Sequence, residues 1–467
     1  MIHVLQSFLP RWKAWSTSSV NSQILVATIV VGALTFLVHV VTAVKELLTA
    51  YRFGTADELD AFLIAILLPS LAVVILAWAF PSAAIPIYME VQSHEGREAA
   101  HRLYANILAG SIGFFMAATV LLALLAMPVL TLLASSFSQE KLALTRSLFF
   151  MVLPIVTIKG VATIWIAVLN ADNRFVLAAI VPAITPLMTV VALLQVSSRF
   201  GIYAVVIGTV GGASLEAAIL AWHLRRLDIP IIPRWNGWTP AMAQVARQYG
   251  SVVAGATLMS STVLVDQAMA AMLGPGSVSA LSYGGKVVSF ALAVGATAVG
   301  TAVLPHFSRM VAAKDWQGVR HTVRTYVRLI ILITVPVTVL AVLLSEPLVR
   351  MIFQRGAFTA ADTVTVGQVQ GFLLLQVPLY LIGILIVRLI SSLKANSVLM
   401  WGCVINFGVN VVLNYVLMQW LQVAGIALST AVVYLVSVIY LSVMLQRVLK
   451  QCEVQEAVQS RPAQIAG

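Results

Sequence analysis

The sequence predicts an all-α integral membrane protein, with about twelve transmembrane helices in two pseudo-symmetric six-helix lobes around a central cavity. Three observations support this fold class. Of the 467 residues, 60% are hydrophobic and 10% are charged, and the mean hydropathy is +0.98; soluble domains are about 45–50% apolar and about 25% charged. Long apolar stretches alternate with short polar segments, and the two halves of the chain repeat.

The apolar stretches account for about twelve helices of the ~20 residues needed to cross a bilayer. They lack the alternation of apolar and polar positions that is typical of barrel strands. The first helix follows a polar segment with Arg11 and Lys13, without a small-residue cleavage site, so we expect it to be retained. The predicted helix centres lie near residues 35, 75, 118, 155, 186, 214, 257, 294, 333, 377, 409 and 435.

The repeat has an offset of about 220 residues. Glu46 precedes the turn FGTADELDAF, and Asp266, 220 positions later, precedes LGPGSVSAL. An even number of helices per lobe gives both copies the same orientation, and transporters built from repeats place their site between them. Prolines and arginines mark a polar linker between the lobes. The predicted organisation is an N-terminal cytoplasmic segment (1–21), an N-lobe with helices 1–6 (22–227), an interlobe linker (228–240), a C-lobe with helices 7–12 (241–450) and a cytoplasmic tail (451–467).

The net charge of +11 is distributed unevenly. When the termini and the loops after even-numbered helices are assigned to one side, about 18 of the 28 Lys and Arg residues lie there and about six lie opposite. This bias argues against a nucleic-acid site. It predicts a multi-pass membrane protein with both termini in the cytoplasm. The two cysteines, Cys403 and Cys452, suit neither a disulfide framework nor a metal site.

Seven charged residues remain inside the predicted spans. Each costs roughly 2.5–3.5 kcal/mol at mid-depth and should face a partner or water. Asp266 lies nine residues before Pro275 and Lys286 eleven after it, so both lie about 13–17 Å below the same turn and are expected to meet. No partner is assigned to Lys159, Glu216 or Arg388. The seven residues are Lys45, Lys159, Lys286, Arg388, Glu46, Glu216 and Asp266.

Lys45 and Lys286, which come from opposite lobes, suit an anionic substrate because an ammonium group can follow phosphate oxygens. Lys45 and Glu46 diverge by about 100° on a helix, so we expect them to face different directions. The predicted substrate-binding set is Lys45, Glu46, Arg52 and Lys286, and structural ion pairs are the alternative. His39, on the helical face of Glu46, is a candidate proton relay or a helix-packing residue.

A second polar group lies in the C-lobe. Asn410 and Asn414 are one turn apart, and Thr430 lies on the next helix. With Asp266 they offer the oxygen ligands that a hard cation such as sodium prefers. Hydrogen bonds between membrane helices explain the same pattern. No cofactor is predicted, and coupling to sodium or protons is expected to involve Asp266, with His39 as a gating candidate.

Three segments resemble a known family: VKELLTAYRFGTADELDAFLIAILLP (44–69), VDQAMAAMLGPGSVSALSYGGKV with GTAVLPHFSRM (265–310), and MIFQRGAFTAADT (351–363). They are similar to the MurJ/MviN lipid II flippases of the multidrug/oligosaccharidyl-lipid/polysaccharide exporter superfamily. The resemblance covers nearly the whole two-lobe core. It implies alternating access for undecaprenyl-pyrophosphate-linked sugars in the bacterial cytoplasmic (inner) membrane, with membrane lipid and polysaccharide-synthesis proteins as partners.

Carried over by position, the resemblance places substrate cations at Lys45 and Lys286 and a cation site at Asp266, Asn410, Asn414 and Thr430. The chain departs from the family pattern in three places. Leu71–Val74 replaces an arginine pair, Asn414 replaces an acid, and twelve helices replace fourteen. The expected substrate is therefore lipid II or an exopolysaccharide or oligosaccharide precursor.

Two other functions fit parts of the sequence. A cation-coupled multidrug antiporter of the same superfamily would use Glu46 and Asp266 to bind a cationic drug, but the lysines beside them argue against a cationic substrate. A membrane-embedded glycosyltransferase or ligase would need acidic or histidine residues clustered in an outer loop, and these loops are short and mostly basic. A transporter, and not an enzyme, is therefore expected. The two lysines are predicted to hold the anionic headgroup, and Asp266 to serve coupling.

Overall fold

The structure is a computed structural model that describes residues 20–465 apart from 78, 173, 228 and 236, and no strand occurs among these residues. The predicted N-terminal segment (1–21) therefore lies almost entirely outside the described residues. Twelve helical segments of the described chain are long and apolar enough to cross a membrane, and each contains one predicted centre. These spans are Val30–Phe53, Asp57–Glu95, Arg97–Leu124, Gln139–Ala171, Phe175–Gln195, Tyr203–Arg226, Pro240–Ala271, Ser277–Thr297, Trp316–Leu343, Ala360–Ser392, Asn396–Leu421 and Val423–Val454.

Several spans consist of two or more helices because prolines and short turns interrupt them. A π-helical turn at Val73–Ala77 follows Pro69, and a 3₁₀ turn at Val181–Ala183 contains Pro182. The helices are α1 (Val20–Phe53), α2 (Asp57–Ala72), α3 (Ala79–Glu95), α4 (Arg97–Leu124), α5 (Ala126–Leu133), α6 (Gln139–Val152), α7 (Ile155–Ala171), α8 (Phe175–Ile180), α9 (Ile184–Gln195), α10 (Ser197–Phe200), α11 (Tyr203–Arg226), α12 (Pro240–Ala271), α13 (Ser277–Ala312), α14 (Trp316–Leu343), α15 (Ser345–Phe353), α16 (Ala360–Leu374), α17 (Gln376–Ser392), α18 (Asn396–Leu421) and α19 (Val423–Ile465).

The chain forms two compact units. The first comprises Met1–Thr49, of which residues 20–49 are described, together with Ala65–Pro128 and Thr145–Ala254. The second comprises Ala50–Ile64, Val129–Leu144 and Gly255–Gly467. Two short segments of the first half of the sequence thus belong to the second unit. The lobe boundaries at 22–227 and 241–450 stay a prediction from the repeat.

Close helix packing in the first unit depends on small residues. A Cβ atom added to Gly208 would lie 2.4 Å from Thr189 Cα, and one added to Gly212 would lie 2.7 Å from Thr185 Cα. Membrane helices that approach this closely require small side chains at the crossing. The crossing therefore fixes α9 against α11 and places the hydroxyl of Thr185 next to the polar residues of α11.

Candidate functional site

The predicted cation site is partly assembled in the second unit. Asp266, on α12, accepts hydrogen bonds on Oδ1 from the Nδ2 atoms of Asn410 at 2.9 Å and Asn414 at 2.6 Å, both on α18. Both asparagines are buried, and Asn414 Oδ1 has no hydrogen-bond partner. The Thr430 hydroxyl donates to the carbonyl of Ile426 within α19, and its role as a cation ligand stays a prediction. Three of the four predicted residues therefore meet.

The expected contact between Asp266 and Lys286 does not form. Both hydrogen bonds to the Asp266 carboxylate come from α18, although the depth estimate placed the two charges at one level. Depth along a helix leaves its rotation open, and Lys286 lies on a solvent-accessible face of α13. The Lys286 side chain is exposed to solvent, and its predicted role in substrate binding stays a prediction.

The side chains of Lys45 and Glu46 were expected to face different directions, but they form an ion pair. Lys45 Nζ lies 2.8 Å from Glu46 Oε1, and both side chains are largely buried. The expectation was wrong because it considered only the Cβ directions, whereas these long side chains can curl toward each other across the helix surface. Arg52 and His39, on the same helix α1, are both exposed. Their predicted roles stay predictions.

The sequence analysis missed a buried carboxylate, Asp60 on α2, whose side chain is 1% exposed. Asp60 Oδ2 accepts the backbone N–H of Gly276 at 2.8 Å, and Oδ1 accepts that of Ser279 at 2.8 Å. These groups form the N-terminus of α13, which has no side-chain cap of its own. An anion is stabilised at a helix N-terminus by the unpaired N–H groups and the helix dipole. Asp60 therefore caps α13 from a distant part of the sequence.

A lysine completes the charge balance around this carboxylate. Lys141 Nζ, on α6, lies 3.1 Å from Asp60 Oδ2 and 2.5 Å from Asp57 Oδ1. Its side chain is 9% exposed, and its ammonium lies 4.1 Å from the centre of the Phe137 ring. Asp57 is 55% exposed, so only Asp60 is removed from water. The pair Asp60–Lys141 is thus a buried ion pair supported by hydrogen bonds to backbone.

Backbone contacts surround the ion pair, and we call the group formed by residues 51–60, 136–141, 271–279 and 355–362 the turn cluster. All of it belongs to the second unit. The N–H of Ala357 donates to the carbonyl of Tyr51 at 2.8 Å, and Ser136 Oγ donates to the carbonyl of Ala271 at 2.5 Å. Thr55 Oγ1 donates to Asp362, which also closes the capping box of α16.

Two glycines permit this approach. Gly356 has φ +60°, and an added Cβ would lie 2.4 Å from the carbonyl oxygen of Tyr51. Gly276 has φ +83°, and an added Cβ would lie 2.9 Å from the carbonyl oxygen of Thr55. Left-handed φ values and backbone contact both exclude larger residues here. Each of the three segments that carry the family resemblance therefore contributes residues to the turn cluster.

The repeat contained a signal for Asp60. When FGTADELDAF is aligned with LGPGSVSAL at the shared Ala that ends each turn, Asp60 corresponds to Ser279. The contact between them therefore joins equivalent positions of the two repeats. The signal is an acidic residue in the first turn of a helix that is apolar beyond that turn, at the position that corresponds to Ser279 in the other repeat.

The first unit contains a separate charged group. Lys159 Nζ, on α7, lies 2.5 Å from Glu216 Oε2 on α11, and both groups bond to Thr185 Oγ1 on α9. The side chain of Glu216 is 2% exposed. Lys159 and Glu216, which had no assigned partners in the sequence, are therefore partners of each other. We call this group the Lys159 triad.

Removing one charge of this triad should destabilise the first unit. The variant K159M leaves a buried carboxylate without its counter-ion, which costs about 3–5 kcal/mol for a typical buried pair. The double variant K159M/E216Q removes both charges and should recover most of the loss. Thermal unfolding of the purified protein measures both, with K450M, which changes an exposed residue of α19, as a control. Equal destabilisation in the single and double variants would show that the pair is not coupled.

Comparison with known proteins gives the family. The model of the family described as lipid II flippase MurJ matches residues 49–460. A probable lipid II flippase MurJ from Buchnera aphidicola subsp. Baizongia pistaciae is 25% identical over 378 residues, which cover 80% of this chain and 72% of that protein. These matches agree with the resemblance read from the three segments.

Solved structures agree on the fold. A lipid II flippase MurJ in an inward closed conformation superposes with a TM-score of 0.77 at 21% identity, and the match covers 92% of this chain and 91% of the other. An inward-facing multidrug resistance MATE family transporter superposes with a TM-score of 0.73 at 11% identity over 90% and 95% of the two chains. At 11% identity, the likeness to the MATE transporter shows a shared fold alone. It therefore adds no support for the hypothesis that this chain is a multidrug antiporter.

The chain has twelve apolar spans in its described part, charged residues within those spans, and a family match across most of its length. These observations lead to one conclusion. The chain is a multi-pass membrane transporter that belongs to the lipid II flippase MurJ family.

Proposed function

We propose that the chain moves an undecaprenyl-pyrophosphate-linked saccharide, either lipid II or an exopolysaccharide or oligosaccharide precursor, from the inner to the outer leaflet by alternating access. The family match over residues 49–460 carries this proposal. The prediction that both termini face the cytoplasm completes it, and selective labelling of Cys452, near the end of the last span, from the cytoplasmic side tests that orientation.

The charges in the spans suit such a headgroup. A pyrophosphate crossing bare hydrocarbon would lose its hydration at a cost of many kcal/mol, and cations in a polar path offset that cost. Lys286 is exposed on α13. The ammonium of Lys45 pairs with the carboxylate of Glu46. A pyrophosphate would compete with this carboxylate for the Lys45 ammonium. After the substrate leaves, Lys45 pairs with Glu46 again, so this lysine has a counter-ion both with and without substrate.

The substrate class is tested in vesicles that contain the purified protein. Fluorescent lipid II and an undecaprenyl-pyrophosphate oligosaccharide without a peptide are incorporated, and the headgroup in the outer leaflet is destroyed by a membrane-impermeant reagent. Loss of signal beyond the outer-leaflet fraction reports flipping. Faster loss for one lipid identifies the preferred class, whereas loss equal to that of protein-free vesicles for both contradicts the proposal.

We assign the turn cluster as the gate that closes one end of the path. The Asp60 carboxylate is buried only while the N-terminus of α13 covers it. Separation of these segments would expose a carboxylate, a lysine and two N–H groups, all of which water solvates well. A contact of this kind can therefore open at moderate cost, which suits a gate better than an apolar seal.

Coupling is proposed at the Asp266 cluster, with sodium or a proton as the ion. The residues fit a small cation because the buried Asn414 Oδ1 lacks a partner, and a carboxylate and amide oxygens are hard donors. Asp266 and Asn410 would complete the set. A bound cation supplies a positive charge that neutralises Asp266. The three residues hold α12 against α18, and the charge state of Asp266 sets how strongly they do so.

The variant D266N should remove the dependence of flipping on the coupling ion, because the amide has no charge to neutralise. Flipping rates are measured against sodium at fixed pH and against pH at fixed sodium. T334V serves as the control, since the Thr334 hydroxyl bonds within its own helix, α14, and Thr334 is not among the predicted cation ligands. A D266N rate that keeps the sodium and pH dependence of the wild type would place coupling elsewhere.

A further inference from the structure

The linker between α11 and α12 has two different sides. Its inner side packs on the first unit: Ile229 is 3% exposed, and the carbonyl of Gly237 accepts a hydrogen bond from Asn106 Nδ2 of α4 at 3.2 Å. Gly110, one turn further along α4, leaves room for the ring of Trp235, whose Cζ3 would lie 3.7 Å from an added Cβ. The described part of the linker is therefore fixed to the surface of the unit.

Large apolar side chains cover its outer side. Ile232 is 58% exposed, Trp235 54% and Trp238 62%, and the two indole rings lie 6.3 Å apart. Trp222, in the last turns of α11, is also 54% exposed, and the Arg226 guanidinium lies 3.8 Å from its ring centre. Four large apolar groups, each more than half exposed on one segment, are unfavourable in water.

The charge of this segment has one dominant sign. Residues 222–240 contain three arginines and one histidine against a single acidic residue, Asp228. Arg225, Arg226 and Arg234 are exposed. The segment connects the end of one span to the start of the next, so its depth is that of the membrane surface. Tryptophan is enriched at this depth because its ring is apolar and its N–H is polar, and arginine there attracts anionic headgroups.

We propose that the linker lies in the membrane interface, with Trp235 and Trp238 among the headgroups and with Arg226 and Arg234 binding anionic phospholipid. This interaction holds the connection between α11 and α12 at the bilayer surface through its outer side while Asn106 holds the inner side. Lipid composition would then influence the linker directly.

The test uses tryptophan quenching by brominated lipids in vesicles of full-length protein. The chain has ten tryptophans, so the signal of interest is the component that the conservative variant W235F/W238F removes. In mixed phosphatidylcholine and phosphatidylglycerol vesicles, brominating the anionic lipid should quench this component more than brominating the neutral lipid. Each arginine near the surface enriches anionic lipid by about fivefold, so R226Q/R234Q should abolish the preference.

R199Q, which removes an exposed arginine after α9, is the matched control and should keep the preference. Three outcomes overturn the proposal. In the first, the fluorescence component removed by W235F/W238F is quenched by aqueous iodide but not by brominated lipid. In the second, the preference for anionic lipid survives in R226Q/R234Q. In the third, quenching depends on the protein-to-lipid ratio, which would identify a second copy of the chain as the partner.

Discussion

Replacing Lys286 by alanine should lower the rate of headgroup flipping by about tenfold to a hundredfold, because a hydrogen bond to a charged group contributes about 1.5–3 kcal/mol. The side chain is exposed on α13, within an apolar span. K45A should have at least the same effect, since it also removes the ammonium that pairs with Glu46, whose carboxylate would then repel the pyrophosphate more strongly. The double variant should flip no faster than protein-free vesicles. The measurement is the headgroup-accessibility assay at matched protein levels.

Two further variants separate binding from charge balance. K45A/E46Q removes both members of the ion pair and should flip faster than K45A if the Glu46 carboxylate repels substrate. K286R keeps the charge and should retain most activity, although arginine and lysine are not equivalent toward phosphate. K450A, which changes an exposed residue of α19, is the control. Unchanged flipping in both K45A and K286A, with normal protein levels, would exclude this substrate site.

Replacing Asp60 by alanine should open the turn cluster. The change leaves the α13 N–H groups without the Asp60 acceptor and removes one of the carboxylates that pair with Lys141. Breaking a buried pair costs about 3–5 kcal/mol, so the open state should gain at least about a hundredfold in population. The readout is the maleimide labelling rate of a cysteine placed at Ser279, which is 0% exposed, after Cys403 and Cys452 are changed to serine.

Asp57 provides a matched control for this test. Its carboxylate also pairs with Lys141, but it is 55% exposed, and exposed pairs contribute about 1 kcal/mol or less. D57A should therefore raise labelling at residue 279 by no more than about fivefold. If D57A and D60A raise it equally, burial of Asp60 is not what closes the cluster. If neither raises it, the cluster is not a gate.

The sequence predicted the twelve spans because length and apolar composition alone decide whether a helix crosses a bilayer. It also predicted the meeting of Asp266 with Asn410 and Asn414, which depended on the resemblance and on their placement one turn apart. It failed for contacts that depend on side-chain reach or helix rotation. Lys45 reaches Glu46 across the helix surface, and the rotation of α13 separates Lys286 from the carboxylate expected to meet it.

The turn cluster was missed for another reason. Asp60 acts through Gly276, Ser279 and Lys141, which are distant in the sequence, and the first two contribute only backbone atoms. Backbone donors carry no residue-type signal, so a search for pairs of opposite charge cannot find them. Only the comparison of the two repeats, which aligns Asp60 with Ser279, would have suggested the contact.

The Lys159 triad has a consequence for how each half of the molecule experiences its surroundings. Lys159 is a counter-ion attached to the chain, so it cannot be diluted, exchanged or depleted. The carboxylate of Asp266 is bound by neutral amides alone, and any positive charge it acquires must come from outside. The Glu216 carboxylate therefore keeps its counter-ion whatever ions the medium contains, whereas under the proposed coupling the charge balance of Asp266 would follow the salt and acidity around the cell.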